Sequence, residues 1–490
     1  MMTKPSWSSL LGDDRFVPLV VTADGRVLEP NIRTVVADER DKWIIIAPPH
    51  VRLHPELKEI VLRESLSRPD IDLFYGDEVA PVNEGDRHDI ILKPALDLTL
   101  LIADDYIGFP LVVRASAIHR LGGLRPATNT AASYDLVLRA VSAGFGIGRI
   151  TEVLAAHEGA RPRPNVDDRM AALRTWLAES ADVFDIGNGL APGTSQLKRR
   201  FTQFPDVSLI IPTRQSIQTN VQDASHGKPF IINFLNSIVR TKWPMDKLHV
   251  LVGDDVKDDR IYSEQCWPFH LRRIITGSPC NRQFNYAAKM NELWRAARTE
   301  HVVLMNDDIV IDSPDWLQAL LTFSIQEDVG GVGARLLYPS GAIQHAGMPG
   351  GLFDLCAHAW AGQSASAPTY QNWAVVHRQW SMVTGALFAT RKSLLEIVNG
   401  FVERFSIEFQ DVDLCLRLRM LGYRIVYTPF AELTHYEKAS RGELASPPSE
   451  LALFLKRWNE FLKQDPAYHP RLERFTFQIA PVEHVGGWWR

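Results

Sequence analysis

The stretch VSLIIPT, residues 207–213, is a run of apolar and β-branched residues that ends at Pro212 and Thr213. Such a run is typical of a buried first strand in an α/β domain. Downstream, helix-like and strand-like stretches alternate over residues 230–241, 248–255, 282–299 and 301–308. The alternation predicts an α/β fold with a mostly parallel central sheet, and ligands are expected beyond the carboxyl ends of its strands. The next helix is predicted to begin with Ser313 as its cap and Pro314 in the first position.

The composition indicates a soluble protein with more than one domain. A chain of 490 residues is too long for one core, and a formal charge of −5 gives no sign of nucleic-acid binding. The four cysteines have no metal-type spacing, as in a reducing compartment. No stretch resembles a signal peptide or approaches the roughly 20 apolar residues of a membrane span. We therefore expect a cytoplasmic protein, either free or attached peripherally at the inner face of the cell membrane.

The clearest domain boundary is predicted in NGLAPGTSQLKRRFTQFPD, which is rich in Gly, Pro, polar and basic residues. We predict a smaller α/β unit over residues 1–187, a linker over 188–205, a larger domain over 206–475 and a tail over 476–490. The amphipathic stretch SELALFLKRWNEFLKQ, which includes Trp458, is predicted to pack back on the larger domain. The terminal GGWWR could contact a membrane or a partner.

The chain contains a repeat. SYDLVLRAVSAGFG, residues 133–146, resembles DVDLCLRLRMLGYR, residues 411–424. The same number of residues separates Asp135 from His157 as separates Asp413 from His435, and KWIIIAPPHVRL matches HVVLMNDDIVI further upstream. Matches in the same order predict the duplication of a domain. In this alignment, the residues opposite Asn306, Asp308 and Asp411 are Ala47, Pro49 and Ser133.

The two copies are predicted to be unequal. The first has too few residues before its first matched strand to build the half of the domain that would hold a nucleotide. We expect a degenerate unit that serves packing or guides an acceptor. Asp77 and Glu78, in YGDE, keep some acidity and leave an independent role open.

MNDDIVI places Asn306, Asp307 and Asp308 at the end of a buried strand. Carboxylates there are costly unless they bind a cation or cap a helix. Mg²⁺ and Mn²⁺ prefer oxygen donors and can bridge protein carboxylates to the phosphates of a ligand. The residues alone leave open both a metal site and a turn whose Asp residues cap the following helix.

Three further residues follow in the second copy. Asp411 and Asp413 precede an amphipathic helix, where a carboxylate near the helix start stays ionised and can accept a proton. Asp413 is interpreted as a cap because the first copy keeps an aspartate there, Asp135. Asp411 could be a base or a cap, and the base is favoured because the first copy has Ser133 in its place. His435 follows a strand pattern and is a structural hydrogen-bonding residue, a metal ligand or a phosphate contact.

The segment from about 205 to 475 resembles an inverting family 2 glycosyltransferase of the GT-A fold, in the O-antigen and rhamnosyltransferase-like branch. The matching pieces include VSLIIPTR, FNYAAKMNELWRAA, MNDDIVI, SGAIQHAG and DVDLCLRLRMLGYRIVYTPFAELTHYEKASRG. DLFYGDE, LGGLR and YDLVLR give the N-terminal part a weaker likeness to the same family. The resemblance implies a nucleotide-diphosphate-sugar donor, a glycan or lipid-linked glycan acceptor, a Mn²⁺ or Mg²⁺ cofactor, and a place in bacterial cell-surface polysaccharide synthesis.

The resemblance also implies roles for individual residues. The nucleotide-binding residues would be Pro212, Thr213, Arg214, Asp254, Asn291 and Asp307, with the choice between Asp254 and Asp255 left open. The metal ligands would be Asn306, Asp308 and His435. The acceptor would meet Thr384, Gly385, Ala386 and Gln410, where Gln410 replaces the family's acid. Asp411 would be the catalytic base.

Two other functions compete with this interpretation. A catalytically inactive nucleotide-sugar-binding scaffold of a polysaccharide assembly complex is favoured by Gln410 and Asn306, and it is disfavoured by Asp308, Asp411 and His435 together. A nucleotidyltransferase would share the acidic site, but no Gly-rich loop with a basic residue follows the first strand.

Overall fold

The computed structural model describes residues 15–20, 42–81, 88–180, 182–219, 226–276, 284–436, 447–482 and 487–489. The chain divides into two compact units. The N-terminal unit comprises Met1–Gln196, Tyr468–Glu473 and Ala480–Arg490, and the C-terminal unit comprises Leu197–Ala467 and Arg474–Ile479. No helix among the described residues is both long and apolar enough to cross a bilayer.

The N-terminal unit is built around a seven-stranded sheet. Its strands are β1 (Phe16–Val20), β2 (Trp43–Ala47), β3 (Val51–Leu53), β4 (Ile71–Pro81), β5 (His88–Ile91), β6 (Leu111–Arg114) and β7 (Gly146–His157). Its helices are α1 (Leu57–Ser67), α2 (Leu98–Ala103), α3 (Ala115–Arg120), α4 (Ala132–Ser142) and α5 (Val166–Leu177), with a 3₁₀ helix at Pro126–Ala131. The strand order is β1-β2-β6-β4-β7-β3, and β5 pairs with β4. Two short strands, β8 (Phe184–Asn188) and β9 (Ser195–Arg199), form a separate sheet.

The C-terminal unit is built around a ten-stranded sheet. Its strands are β10 (Val207–Thr213), β11 (Leu248–Asp254), β12 (His270–Ile275), β13 (His301–Met305), β14 (Ile309–Ile311), β15 (Val329–Leu337), β16 (Ile343–His345), β17 (Arg378–Gln379), β18 (Leu387–Arg391) and β19 (Arg424–His435). Its helices are α6 (Phe230–Ile238), α7 (Arg260–Ser263), α8 (Tyr286–Ala296), α9 (Trp316–Ser324), α10 (Lys392–Ile397), α11 (Gln410–Met420) and α12 (Pro448–Lys463). Short 3₁₀ helices lie at Met245–Lys247, Leu352–Asp354 and Tyr370–Asn372.

The predicted α/β class is confirmed, and the sheet of the C-terminal unit is mixed. Its strand order is β12-β11-β10-β13-β18-β15-β19-β14, with β16 beside β15 and β17 beside β19. The first four strands are parallel, and β18 runs antiparallel to β13 and β15. The stretch 207–213 is β10, and all seven of its residues are buried between parallel neighbours. The continuous, mostly apolar sequence of this strand is the pattern expected of a strand that is buried on both faces of the sheet.

The start of α9 was predicted wrongly. The helix begins at Trp316, Asp315 occupies the cap position, and its side chain makes no capping hydrogen bond. The segment before it is tied elsewhere, since Asp312 accepts hydrogen bonds from the N–H and hydroxyl of Thr434 at 3.1 and 2.6 Å. Ser313 and Pro314 therefore belong to the turn that precedes the helix.

The two sheets share one strand order. In the N-terminal unit β1, β2, β6, β4, β7 and β3 follow one another as β10, β13, β18, β15, β19 and β14 do in the C-terminal unit. The parallel pairs β4–β7 and β15–β19 share register shifts at two corresponding places, and β4–β7 has a third between Asp77 and Glu78. Counterparts of β11 and β12 do not occur among the described residues of the N-terminal sheet. A shared order with shared irregularities supports the predicted duplication.

The strand register corrects the predicted alignment by one residue. Ile309 pairs with His435 in the C-terminal unit, and Val51 pairs with His157 in the N-terminal unit. Asp308 therefore corresponds to His50 rather than to Pro49, and Asn306 corresponds to Pro48 rather than to Ala47. Residues 48–50 and 306–308 have no residue type in common, so the sequence alone could not fix their alignment. Strand pairing fixes it directly.

Asp413 is a buried ion-pair partner rather than a helix cap. It lies inside the first turn of α11, and its carboxylate accepts from Arg417 Nε at 2.7 Å and from Trp458 Nε1 at 3.0 Å. Arg417 also donates to the carbonyl oxygens of Val398 and Gly400.

The N-terminal unit repeats this arrangement. Arg139 donates to Asp135 at 2.8 Å and to the carbonyl oxygens of Leu121 and Gly123. The Asp and Arg shared by the two copies therefore hold the helix to the preceding turn, which is a role in the fold.

The C-terminal tryptophans are packed within the N-terminal unit. Trp489 is 5% exposed and clusters with Val79, Val153 and Ala156. Trp488 donates its indole N–H to the carbonyl oxygen of Val153 at 2.9 Å. This packing corrects the suggestion that GGWWR contacts a membrane or a partner. Trp489 belongs to a buried cluster of the unit, and Trp488 packs against that cluster. The helix that carries Trp458 is α12, and Trp458 is buried against α11 as expected.

Candidate active site

The candidate active site lies at the carboxyl ends of β10, β11 and β13. Thr213 pairs with Asp254 at the ends of β10 and β11, and Asn306 directly follows β13. Because these strands are parallel, their carboxyl ends meet at one edge of the sheet, where α/β proteins bind ligands. The predicted residues Thr213, Asp254 and Asn306–Asp308 are therefore brought together by the topology.

Asp307 faces the end of β10. Its Oδ2 accepts a hydrogen bond from Thr213 Oγ1 at 2.5 Å. Burial, and then repulsion from Asp308, raises the pKa of Asp307 to about 7. Asp307 and Asp308 are neighbouring carboxylates that repel each other, and a bound cation would stabilise them.

Asp308, His435 and Asn306 form a small cluster. His435 Nε2 lies 3.1 Å from Asp308 Oδ1 and 3.4 Å from Asn306 Nδ2. The pairing of β14 with β19 produces this contact, since His435 stands opposite Ile309. No group of three or more His, Cys, Asp or Glu side chains within the described ranges has the arrangement of a metal site.

The cluster nevertheless fits a divalent cation that is shared with a ligand. It offers one carboxylate and one imidazole, both of which are metal donors, while the amide oxygen of Asn306 faces Tyr286 Oη at 3.5 Å. Mg²⁺ commonly takes only one or two protein carboxylates and completes its shell with phosphates and water. The predicted ligands Asp308 and His435 suit this partial set, and Asn306 would join them with its amide group turned over.

Asp254 is saturated by protein donors. Its Oδ2 accepts from Tyr262 Oη, Arg273 Nε and Gln215 Nε2 at 2.8, 2.8 and 2.9 Å, and its Oδ1 accepts from the N–H of Val256 at 2.9 Å. The side chain is fully buried. Asp254 thus organises the end of β11.

Asp255 and Lys289 lie beside Asp254 at the strand ends. Asp255 Oδ1 accepts from Lys289 Nζ at 2.8 Å and from Thr276 Oγ1 at 3.1 Å, and its side chain is 27% exposed. Lys289 also donates to the carbonyl oxygen of Thr213 at 2.8 Å. Burial lowers the pKa of Lys289, while Asp255 opposes that effect. Sequence reasoning missed Lys289, whose only signal was a lysine among the apolar residues of α8.

The remaining nucleotide candidates lie in different surroundings. Asn291 is buried and bonds to Phe401 through both its amide nitrogen and its amide oxygen, at 2.9 and 2.8 Å. It is therefore tied to the segment after α10 and not to the strand ends. Pro212 is buried in β10, and Arg214 is exposed with Nε 3.1 Å from Ser216 Oγ.

Asp411 occupies the first turn of α11. Its Oδ2 accepts from the N–H of Gly385 at 2.6 Å, and its Oδ1 accepts from the N–H of Val412 at 2.8 Å. A Cβ atom on Gly385 would lie 2.8 Å from the Cβ atom of Asp411, so only glycine permits this approach.

The tripeptide Thr384–Ala386 connects the candidate base to the candidate metal site. Gly385 bonds to Asp411, and the carbonyl oxygen of Ala386 accepts from the N–H of Asn306 at 2.9 Å. The structure therefore brings the predicted acceptor residues together with both the predicted base and the predicted metal ligands.

Gln410 and His345 complete the surroundings of Asp411. Gln410 is 7% exposed, and its Oε1 has no hydrogen-bond partner among the described residues. His345 is fully buried, with Nδ1 3.0 Å from His358 Nδ1 and Nε2 3.5 Å from the N–H of Thr384. Burial, then His358 and His435, holds the pKa of His345 well below 6.5. His345 lies within SGAIQHAG, but sequence reasoning gave it no role.

The corresponding place in the N-terminal unit is filled by an internal ion network. His157 Nε2 lies 2.5 Å from Glu78 Oε2, and Glu78 also contacts Lys93 Nζ at 2.5 Å and Arg161 Nη2 at 3.0 Å. Although burial alone would raise the pKa of Glu78, Arg161, Lys93 and His157 hold it well below 4.5. His50, which corresponds to Asp308, is exposed, and Ser133 stands in place of Asp411.

The profile of the family described as "Glycosyltransferase like family 2" matches residues 205–457. The chain belongs to glycosyltransferase family 2. The resemblance predicted from the sequence is thereby confirmed for the C-terminal unit, which carries the site described above.

Relatives of this family 2 chain include proteins of three bacteria. The chain is 30% identical to the uncharacterized protein y4gI of Sinorhizobium fredii, over 97% of this chain and 55% of that protein. It is 29% identical to the O-antigen biosynthesis protein RfbC of Myxococcus xanthus, over 86% of this chain and 33% of that protein. It is 25% identical to an N-acetylglucosaminyl-diphospho-decaprenol L-rhamnosyltransferase of Mycobacterium tuberculosis, over 54% of this chain and 83% of that protein. The chain thus spans about half and a third of the length of the first two relatives.

Proposed function

We propose that the C-terminal unit transfers a sugar from a nucleotide-diphosphate sugar to a hydroxyl acceptor, with inversion, in the synthesis of a bacterial cell-surface polysaccharide. One observation carries the proposal: the tripeptide Thr384–Ala386 holds Asp411 through Gly385 and Asn306 through Ala386. A carboxylate base thereby stands next to a cluster suited to the phosphates of a donor.

Asp411 is proposed to remove the proton of the acceptor hydroxyl. Hydrogen bonds from Gly385 and Val412 fix both carboxylate oxygens, and a positioned carboxylate can act as a general base. The hydroxyl oxygen then attacks the anomeric carbon from the face opposite the departing diphosphate. A single displacement of this kind inverts the configuration at that carbon.

Asp308, His435 and Asn306 are proposed to hold a Mn²⁺ or Mg²⁺ ion. Such an ion supplies a positive charge that offsets the charge developing on the departing nucleoside diphosphate. Asp307 stays bonded to Thr213, so it fixes the strand end beside the diphosphate. Asp308 is therefore proposed as the metal ligand, and Asp307 is proposed as the residue that positions the end of β10.

The nucleotide is proposed to bind over the ends of β10 and β11. Thr213 and Pro212 form the floor there, and Asp254 keeps its edge in shape through Tyr262 and Arg273. Asp255, rather than Asp254, has an oxygen that accepts no hydrogen bond from any described residue. Between the two acids, Asp255 is therefore proposed as the group that meets the nucleoside.

The acceptor is proposed to be a glycan or a lipid-linked glycan at the inner face of the cell membrane. The Mycobacterium relative is named for a diphospho-decaprenol-linked sugar, and the Myxococcus relative is named for O-antigen biosynthesis. The acceptor hydroxyl would enter beside Thr384, Gly385 and Gln410, where the unused amide oxygen of Gln410 can accept a hydrogen bond from a sugar hydroxyl.

The experiment is a panel of nucleotide sugars with Mn²⁺ or Mg²⁺, in which release of nucleoside diphosphate by the full chain is measured. We expect at least one donor to be turned over in a cation-dependent manner, and we expect Asp308→Ala to abolish the dependence. Asp312→Ala is the matched control, because Asp312 bonds to Thr434 at the far end of β14.

The same panel tests the alternative of an inactive scaffold, which Gln410 and Asn306 favour. A scaffold would bind nucleotide sugars and release no nucleoside diphosphate with any donor. That result, obtained with an acceptor-containing membrane extract present, would contradict the proposed enzyme.

A further inference from the structure

Helix α12 packs against residues 406–409, the segment that leads into the helix of Asp411. Its buried residues recur every four positions, at Glu450, Phe454, Trp458 and Leu462, so they form one face of the helix. Trp458 bonds to Asp413 inside α11. The first two residues of this buried face, Glu450 and Phe454, contact residues 406–409, which lead into Asp411.

Glu450 is a buried carboxylate, and both of its oxygens accept hydrogen bonds from that segment. Its Oε1 accepts from the N–H and the hydroxyl of Ser406 at 2.9 and 2.5 Å. Its Oε2 accepts from the N–H groups of Ile407 and Glu408 at 3.3 and 2.8 Å. Glu450 is 3% exposed. Charge-assisted bonds to three consecutive amide groups fix the path of the backbone there.

Phe454 holds the next residue along. Its ring stacks on that of Phe409 at 4.6 Å between centroids and 13° between planes. Phe409 has φ 64°, a left-handed conformation that is uncommon for a bulky residue and persists only where the surroundings enforce it. Because Phe409 immediately precedes Gln410 and Asp411, its conformation sets the direction in which α11 starts.

The N-terminal unit offers an internal comparison. Asp168 holds the third position of α5, as Glu450 does in α12, but it bonds to Asn129 and Thr130 only and is half-buried. The counterparts of Phe409 and Phe454 are Ala131 and Ala172, and Ala131 has φ −94°.

Trp176 corresponds to Trp458 but donates to Ser142 rather than to Asp135. The stacked rings, the left-handed residue and the bond from tryptophan to aspartate thus occur together in the unit that has Asp411. The stacked rings and the tryptophan–aspartate bond are missing from the described part of the unit that has Ser133, where a positive φ of 45° falls on Asn129 instead.

We propose that Glu450 and Phe454 are positioning residues that hold the 406–409 segment so that the carboxylate of Asp411 meets the N–H of Gly385. The proposal rests on the proposed function of Asp411 as the base. It assigns to α12 a part in transfer itself, acting through Asp411 without contact with the donor.

The test compares Glu450→Gln and Phe454→Ala with the wild-type full chain. kcat and KM for nucleoside diphosphate release are measured with the donor found in the panel, and the Kd of the nucleoside diphosphate is measured by calorimetry. We expect kcat to fall at least tenfold, with KM for the donor and Kd within twofold of wild type. Phe454→Leu removes the stacked ring with only a small loss of buried volume, so it guards against loss of folding.

Asp168→Asn is the matched control, since Asp168 holds the same position in the unit without a base. It should leave kcat unchanged. Equal losses in Asp168→Asn and Glu450→Gln, or parallel losses of kcat and nucleotide affinity in both Glu450→Gln and Phe454→Leu, would show that α12 is only structural. A wild-type chain that binds nucleoside diphosphate and turns over no donor would instead contradict the proposed function, and with it this inference.

Discussion

Asp411 could be singled out from the sequence because one copy of the repeat has it and the other has Ser133. Its neighbours could not be sorted in this way. Whether Asp254 or Asp255 faces a ligand depends on Tyr262 and Arg273, which other elements bring to Asp254. Lys289 was missed for the same reason, since its value lies in its contacts with the ends of β10 and β11.

At the residue scale, Gly385→Ala tests how closely the base is held. The added methyl group would lie 2.8 Å from the Cβ atom of Asp411 and must displace it. We expect kcat to fall at least tenfold, because a shift of about 1 Å at a reacting group costs on the order of 10²-fold in rate. Gly341→Ala, at an open turn with φ 79°, is the control for a substituted glycine away from the site. Kinetics of nucleoside diphosphate release check it, and unchanged kcat in Gly385→Ala would contradict the geometry.

At the scale of elements, the alternation of strands and helices was predictable because burial and hydrophobic pattern are local properties. The role of Asp413 was not. It reads as a cap from its place at a helix start, and only the tertiary contacts with Arg417 and Trp458 show it to be an ion-pair partner. The one-residue error in aligning Asp308 has a similar origin, since the pairing of β14 with β19 fixes that register.

The ion pair of Asp413 predicts a loss of stability. Removing one partner of a buried pair leaves an uncompensated charge, so Asp413→Ala should lower the free energy of unfolding of the C-terminal unit by about 3–5 kcal/mol. Asp328→Ala is the control, because its pair with Arg424 is half-exposed and should contribute about 1 kcal/mol or less. Denaturant unfolding followed by tryptophan fluorescence measures both. Equal effects of the two substitutions would contradict the assignment.

The network around Glu78 predicts a dependence on pH. Arg161, Lys93 and His157 hold the pKa of Glu78 well below 4.5 in the folded unit. Its contribution to stability is therefore fully present above about pH 4.5 and is lost as the pH falls through the depressed pKa. The difference in unfolding free energy between wild type and Glu78→Gln should be constant from pH 7 to pH 5 and shrink below pH 4.5. A difference that grows on acidification would contradict the pairing.

At the scale of the whole molecule, the described residues form two related sheets, and they bring the predicted site residues together in one of the two units. The N-terminal sheet has the order of the C-terminal sheet without described counterparts of β11 and β12, and Glu78 fills the place beside His157. We therefore expect one nucleoside diphosphate to bind per chain. Calorimetry with the full chain and Mn²⁺ checks this stoichiometry, and two sites per chain, or binding that survives Asp308→Ala undiminished, would overturn the division of roles between the units.

The most direct test of the account is the turnover of Asp411→Asn. The amide keeps the size of the side chain and can still accept from Gly385, but it cannot take a proton from the acceptor. Nucleoside diphosphate should bind with wild-type affinity, while kcat falls by about 10²–10⁴-fold, the usual contribution of general-base catalysis. A kcat close to that of wild type in Asp411→Asn, with the nucleotide bound equally well, would contradict the assignment of the base.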